Sequence, residues 1–124
     1  MISKYLKIVP HLWGEEKWIV NTNEYCGKII ILNKGWQSSF HLHLNKDETF
    51  YIRKGKVCLE VGIEDRVAIF ILESEDSYRI KPGTTHRFRS LTKQSEVIEF
   101  STHHEDSDTS KIVHACKAKR LKGY

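Results

Sequence analysis

Short stretches rich in β-branched and aromatic residues alternate with polar, turn-forming residues along most of the chain. This pattern predicts nine strands, at 17–21, 25–32, 37–44, 48–53, 56–61, 67–72, 77–80, 86–91 and 96–102. No long window holds a helical period, so a short helix is expected only near either end. Nine short strands at near-regular spacing favour an all-β antiparallel sandwich or barrel, of which the jelly roll is the commonest closed form.

The size and composition of the chain fit one domain. It has 124 residues, of which 40% are hydrophobic and 29% charged, as in ordinary globular proteins. We treat 1–124 as a single domain, with N-terminal strands at 1–24, a barrel at about 25–102, and an acidic loop and basic tail at 103–124. The longest apolar runs, 28–32 and 67–72, are too short to cross a bilayer.

Cysteine usage and charge exclude several classes of protein. Cys26, Cys58 and Cys116 are odd in number and widely spaced, so we predict free thiols in a reducing cytoplasm and exclude a two-cysteine zinc knuckle. No secretory signal is expected at the N-terminus. The net charge of +4 comes from the basic tail, and the rest of the chain is about neutral. Nucleic acid is therefore not an expected partner. The residues that give the tail its charge are Lys111, Lys117, Lys119, Arg120 and Lys122.

Three histidines and one glutamate are placed where a metal ion could bind them together. His41 and His43 alternate with Phe40 and Leu42, so both imidazoles point to the same face of a strand. Glu48 begins the next strand, and His86 opens a later one. Three neutral nitrogens and one carboxylate oxygen suit a divalent first-row metal that keeps open positions for water or substrate.

The spacing of these residues resembles the cupin superfamily. Its first motif is a glycine, five residues, His-x-His, four residues, a glutamate, six residues and a glycine, and it falls on Gly35, His41, His43, Glu48 and Gly55. The second motif matches only at Gly83 and His86, although Pro82 lies one place from the motif's proline. The resemblance implies a jelly-roll barrel and one divalent ion (Zn, Mn, Fe, Ni or Co) held by His41, His43, Glu48 and His86.

Patches outside the motif resemble the cupin domain of bacterial mannose-6-phosphate isomerases and D-lyxose isomerase-type cupins. They are Trp13-Gly14, the late strand 97–100, and the acidic segment 105–111. Those isomerases usually have Gln in place of His41 and Arg in place of Lys111. The resemblance implies a metal-dependent isomerase or epimerase of a sugar or sugar phosphate, in which a carboxylate moves a carbon-bound proton.

We predict two catalytic carboxylates. Glu48 would be a metal ligand, and Glu99 would be the base that removes the proton from the sugar. Strand alternation places Glu99 on one face with Val97 and Ser101. That face is either directed into the barrel or exposed to solvent, and the sequence leaves both open. The predicted substrate contacts are side chains that could hold a phosphate, stack on a sugar or line the barrel mouth: Arg79, Lys81, Lys111, Trp36 and His103. Trp36 could equally belong to the core or to a dimer interface.

Two other functions and an oligomeric state follow from the same observations. Cupins with three histidines and a glutamate also include iron or nickel dioxygenases, and a non-catalytic cupin could bind a sugar or nucleotide-sugar. The edge strands of an open jelly roll present unpaired backbone groups, and the first strands are apolar. We therefore predict a homodimer formed through a sheet edge or face.

Overall fold

The computed structural model describes residues 2, 4–119, 121 and 123–124, so Arg120 and Lys122 of the predicted basic tail lie outside the described residues. No helix in the described ranges is long and apolar enough to span a membrane. Besides a single turn of 3-10 helix at Asp106–Asp108, these residues form β1 (Lys7–His11), β2 (Gly14–Asn21), β3 (Cys26–Asn33), β4 (Trp36–Gln37), β5 (Phe40–His43), β6 (Glu48–Lys54), β7 (Lys56–Ile63), β8 (Arg66–Glu73), β9 (Ser77–Ile80), β10 (His86–Ser90), β11 (Gln94–Ser101), β12 (Thr109–Val113) and β13 (Cys116–Lys117).

Two antiparallel sheets face each other and enclose the core. The six-stranded sheet has the order β1-β2-β3-β11-β6-β9, and the five-stranded sheet has the order β12-β5-β10-β7-β8. A short pair, β13 and β4, lies beside them. Leu32, Ile52 and Val97 of the first sheet are buried with Val57 and Leu59 of the second. The predicted all-β jelly roll is confirmed.

Each of the nine predicted strands has a counterpart, and the differences have physical causes. The predicted strand 37–44 is interrupted at Ser38, whose backbone N–H donates to Phe88 and whose hydroxyl accepts from the Phe88 N–H. Three strands, β1, β12 and β13, are additional to the nine predicted ranges. Pro10 lacks a backbone donor and argues against a strand at 7–11, but β1 lies at a sheet edge, where a missing donor is tolerated.

The backbone at Gly14 shows why the Trp13-Gly14 pair matters for the fold. Its φ is +148°, and a Cβ at this position would lie 1.9 Å from the carbonyl oxygen of Ile31. Only glycine allows the chain to approach β3 this closely. The close approach places Trp13 in the core, where its ring meets the edge of Phe88.

Candidate metal centre and cavity

The two sheets bring the three predicted histidines together. His41 on β5 lies directly opposite His86 on β10, and His43 follows on the same face of β5. The candidate ligand nitrogens of the three rings all lie within 4.8 Å of one another. His43 and His86 are buried, and His41 is half-buried.

Glu48 reaches the histidine cluster from the opposite sheet, at the start of β6. One carboxylate oxygen, Oε2, lies 3.3 Å from His43 Nε2 and 3.8 Å from His86 Nε2. The structure therefore places a carboxylate oxygen of Glu48 beside His43 and His86, between the two sheets.

Hydrogen bonds orient the rings so that Nε2 faces this centre. The Nδ1 atoms of His41 and His86 each lie 2.9 Å from a backbone carbonyl, of Ser39 and Thr84 respectively. A carbonyl only accepts, so both Nδ1 atoms carry the proton and both Nε2 atoms keep a lone pair. His43 Nδ1 lies 3.1 Å from the Thr109 hydroxyl on β12.

The polar atoms at the centre fit a bound cation. Glu48 Oε2 and His86 Nε2 are buried and have no hydrogen-bond partner among the described residues. An unpartnered buried acceptor is costly, and a metal ion would satisfy both atoms. Burial, together with the neighbouring His41, lowers the pKa of His86 to about 3. Burial and the nearby Lys46 charge also lower the pKa of His43, so both rings are in the neutral form that binds metals.

A buried lysine lies next to the cluster. Lys46 is 3% exposed, and its Nζ lies 3.2 Å from Glu99 Oε2 and 3.8 Å from Glu48 Oε2. Nζ also lies 2.9 Å from His104 Nδ1, while His104 Nε2 lies 2.9 Å from an Asp106 carboxylate oxygen. Burial alone would lower the pKa of Lys46, but the two glutamate charges outweigh it and the pKa is raised. Lys46 is thus a charged ammonium at the centre of a polar network.

Glu99 is directed into the barrel, which decides between the two orientations that the sequence left open. It is 3% exposed, whereas Phe100 is exposed on the outer face. The Ser101 hydroxyl donates to Glu99 at 2.8 Å.

Burial raises the pKa of Glu99, but the Lys46 and Lys28 charges reverse the effect and hold the pKa below its usual range. Burial and the Glu99 charge raise the pKa of Glu48, so the two carboxylates differ in proton affinity.

A cavity of about 610 Å³ opens from this centre. Three of the four candidate ligands, His41, His43 and Glu48, line it, and so do Lys46, Glu99 and His104. Its apolar walls are formed by Trp13, Phe50 and Phe88. The N-terminal strands and the segment after β11 contribute further polar lining residues: Lys7, His11, Glu16, Trp18, Lys28, Asp106, Thr109 and Lys111.

The predicted substrate contacts are divided between the cavity and the outside. Lys111 lines the cavity and pairs with His41 across β12 and β5. Arg79 is exposed and forms an ion pair with Asp47 at 2.6 Å. The remaining three lie outside the cavity wall: Lys81 is exposed, Trp36 packs against the core, and His103 contacts the Thr22 carbonyl.

Asp108 holds the turn between β5 and β6. Its carboxylate accepts hydrogen bonds from three successive backbone N–H groups, those of Leu44, Asn45 and Lys46, at 3.0 Å each. The turn that joins His43 to Glu48 and carries Lys46 is therefore fixed by a segment beyond the barrel.

Several cavity residues were missed by sequence reasoning, although a signal existed for two of them. Lys28 is inward because it alternates with Ile30 and Leu32, and it is 1% exposed. Lys46 precedes Glu48 by two residues within the ligand motif. Trp18 and His104 also line the cavity.

Glu16 gives the first testable prediction, a pH-dependent stability. Its carboxylate binds buried Lys28 at 3.0 Å and also contacts His11. Burial raises the pKa of Glu16, but both partners outweigh this and the pKa falls from 4.5 to about 2. A lowered pKa stabilises the fold above about pH 4.5, and the effect is lost as pH falls towards 2. We expect Glu16→Gln to lower the free energy of unfolding by about 2–3 kcal/mol at pH 7.

Urea unfolding at several values between pH 7 and pH 3 measures this effect. The difference between wild type and Glu16→Gln should shrink across the acidic values. Glu15→Gln, on the opposite face of the same strand, is the matched control and should change stability by less than about 0.5 kcal/mol. A loss in Glu16→Gln that is independent of pH would contradict the role of the Glu16 charge.

The two sheets form a β-barrel, and histidine and glutamate side chains converge inside it. The chain belongs to the cupin family, because the family model described as the cupin domain matches residues 28–101. It is 32% identical over 110 residues to the D-lyxose/D-mannose isomerase of Thermosediminibacter oceani, covering 70% of this chain and 61% of that protein. The D-lyxose ketol-isomerase of Cohnella laeviribosi is also 32% identical, with 70% and 60% covered. The chain thus spans about three-fifths of the length of these curated relatives.

Solved structures share the fold at lower identity. The capsular polysaccharide assembling protein CapF from Staphylococcus aureus matches with a TM-score of 0.79 and 19% identity, over 90% of this chain and 32% of that chain. Oxalate decarboxylase from Bacillus subtilis matches with a TM-score of 0.78 and 15% identity, over 90% and 33%. At these identities the likeness concerns the barrel alone.

Proposed function

We propose that the protein is a metal-dependent isomerase or epimerase of a sugar or sugar phosphate. The observation that carries the proposal is the buried carboxylate of Glu99, which lies 3.2 Å from Lys46 Nζ and lines the same cavity as His41 and His43. An isomerase needs a carboxylate that can move a carbon-bound proton beside a group that stabilises negative charge on oxygen. The 32% identity to D-lyxose isomerases supports the same reaction class.

The residues that would hold the metal are His41, His43, His86 and Glu48. Three imidazoles and a carboxylate suit Zn, Mn, Fe, Ni or Co. When bound there, a divalent ion supplies Lewis-acid stabilisation to the sugar's carbonyl and neighbouring hydroxyl oxygens.

Glu99 takes and returns the proton in this proposal. It removes the proton from the carbon next to the carbonyl and delivers it to the adjacent carbon. While Glu99 is ionised, Lys46 and Ser101 hold it in place at 3.2 and 2.8 Å. A proton on Glu99 removes the attraction to Lys46, so the carboxyl readily gives the proton back. The low pKa of Glu99 thus favours the second half of the reaction.

Lys46 is the proposed proton donor to the sugar oxygen. Its ammonium contacts both Glu99 and His104, and His104 contacts Asp106 near the exposed side of the loop. After giving its proton to the carbonyl oxygen, Lys46 takes up the proton of the neighbouring hydroxyl, whose oxygen becomes the new carbonyl oxygen. Trp13, Phe50 and Phe88 keep water from the reacting carbons. Lys111 is retained as a proposed substrate contact.

Metal analysis followed by a substrate screen tests the proposal. Protein purified without added metal is analysed for its elements, and that metal is restored before assays with D-lyxose, D-mannose and mannose 6-phosphate. We expect isomerisation accompanied by exchange of the C2 proton with deuterated water. Iron or nickel with oxygen uptake would contradict the proposal and favour the dioxygenase. Sugar or nucleotide-sugar binding without turnover would favour a non-catalytic cupin.

We propose a cytoplasmic homodimer. Cys26, Cys58 and Cys116 are free thiols, as expected in a reducing compartment. Edge strand β8 exposes Val67, Ile69 and Ile71, which alternate along one face. Burying this face against a second copy would remove its apolar surface from water.

Light scattering tests the dimer. We expect about twice the 14.5 kDa chain mass at high micromolar concentration. Ile69→Lys, which places a charge in the exposed apolar face, should shift the population towards the monomer. A wild-type monomer at that concentration would rule out the proposed dimer.

A further inference from the structure

Three donor-bearing side chains form a row across the N-terminal strands. Lys7 on β1 is paired with Trp18 on β2, and Trp18 is paired with Lys28 on β3. Both lysine Nζ atoms lie 4.0 Å from the centre of the indole ring. All three residues line the cavity that contains the histidine cluster.

One ring separates this row from the candidate metal centre. Trp18 meets the edge of His104 with ring centres 5.0 Å apart, and His104 lies 5.9 Å from His43. A molecule in the cavity can therefore contact the histidine cluster with one part and the row with another. None of the three residues of the row gives or takes a proton in the reaction proposed above.

The row of Lys7, Trp18 and Lys28 contains more hydrogen-bond donors than nearby acceptors. Lysine ammonium groups and the indole N–H donate but do not accept. Lys28 is paired with Glu16, whereas Lys7 forms no ion pair among the described residues. Trp18 is 7% exposed, and its Nε1 has no hydrogen-bond partner in the described ranges. A buried donor without an acceptor is rare and costly, which points to an acceptor supplied by a ligand.

The charges that line the cavity favour an anionic ligand. Four lysines (Lys7, Lys28, Lys46 and Lys111) balance four carboxylates (Glu16, Glu48, Glu99 and Asp106). A divalent cation at the histidine cluster would leave the cavity with a net positive charge. A hydroxyl both donates and accepts, whereas a phosphate or a carboxylate only accepts, so an oxyanion is the better match to an all-donor row.

We propose that Lys7, Trp18 and Lys28 form an anion subsite for the terminal phosphate or carboxylate of the sugar. The inference rests on the proposed function, whose substrate class it narrows to acidic sugars. Lys7 is exposed at the rim and can turn towards the oxyanion, while Lys28 and Trp18 are held by the sheet. The exposed Arg79 and Lys81, which the sequence suggested for phosphate, lie outside this cavity.

Calorimetric titration of the metal-reconstituted protein tests the subsite. The probes are D-mannose, mannose 6-phosphate, D-mannuronate and inorganic phosphate. We expect at least one of the two acidic sugars to bind about tenfold more tightly than D-mannose, and the tighter one identifies the oxyanion. Inorganic phosphate should compete with that acidic sugar.

Variants of the row residues, with a matched control, test whether these residues cause the preference for acidic sugars. Lys7→Gln should weaken binding of the acidic sugar about tenfold. Trp18→Phe, which keeps an aromatic side chain but removes the N–H, should weaken it about threefold. Neither should alter D-mannose affinity. Lys34→Gln, an exposed lysine outside the cavity, should leave every affinity unchanged. Equal binding of neutral and acidic sugars, or a preference that survives in Lys7→Gln, would overturn the subsite.

Measuring both sugar binding and turnover tests the anion subsite independently of the proposed isomerase activity. Isomerisation of D-mannose with no preference for acidic sugars would retain the isomerase and reject the subsite. Tight, Lys7-dependent binding of an acidic sugar without C2 proton exchange would retain the subsite and reject the isomerase.

Discussion

Replacing His43 with alanine is expected to abolish metal binding while leaving the barrel folded. His43 supplies one of the three imidazoles whose candidate ligand atoms lie within 4.8 Å of one another. Loss of a residue that merely orients a ligand typically costs 10–100-fold in metal affinity, so loss of a ligand should cost about a hundredfold or more. The core is aliphatic and aromatic, which is why the fold should persist. Elemental analysis and circular dichroism measure the two outcomes.

His114→Ala is the control for this variant, because His114 is exposed and lies outside the cluster. It should bind as much metal as the wild type. One equivalent of metal retained in His43→Ala would exclude His43 as a ligand. Loss of the folded signal in His43→Ala would contradict the prediction that the core, without the metal, maintains the barrel.

Glu99→Gln is expected to lower turnover about a hundredfold or more without changing metal content. General base catalysis typically contributes ~10²–10⁴ in rate, and an amide cannot accept the proton. Substrate affinity should change little, because the amide has the size of the acid. Exchange of the sugar's C2 proton with deuterated solvent reports directly on the step assigned to Glu99.

The controls separate catalysis from stability. Glu96→Gln alters the same strand on its opposite face, where Glu96 forms an exposed pair with Arg53, and should leave turnover unchanged. Glu99→Gln also leaves the buried Lys46 ammonium with a weaker counter-charge. The double variant Lys46→Met, Glu99→Gln removes both charges and should restore stability but not activity. Wild-type exchange in Glu99→Gln would remove Glu99 from the mechanism and transfer the base role to His104, which also lines the cavity.

Most of the fold and of the candidate metal centre can be predicted from the alternation of residues along strands and from the spacing of the motif. His41, His43 and Glu48 are close in sequence, so local strand geometry is enough to predict that they converge. His86 is distant in sequence, but its pairing with His41 follows from where a jelly roll places that strand. The candidate metal centre is predictable because its residues follow the same inward and outward alternation as the core residues.

The rest of the cavity depends on burial of charge, which sequence patterns do not reveal. Lysine is almost never fully buried unless it is paired, so Lys28 and Lys46 would ordinarily be assigned to the surface. Both are buried because carboxylates from other strands, Glu16 and Glu99, meet them in the folded state. Such pairing depends on the register between strands, which is known only once the sheet is assembled.

The hydrogen bonds to Asp108 tie the turn between His43 and Glu48 to a segment that is synthesised after β11. Asp108 binds the Leu44 N–H across 64 positions of sequence and also fixes Asn45 and Lys46. A growing chain that has emerged only through β11 can pair its barrel strands, yet the turn between His43 and Glu48 still lacks its anchor. The turn between the candidate ligands His43 and Glu48 therefore gains this support only after residue 108 has been synthesised.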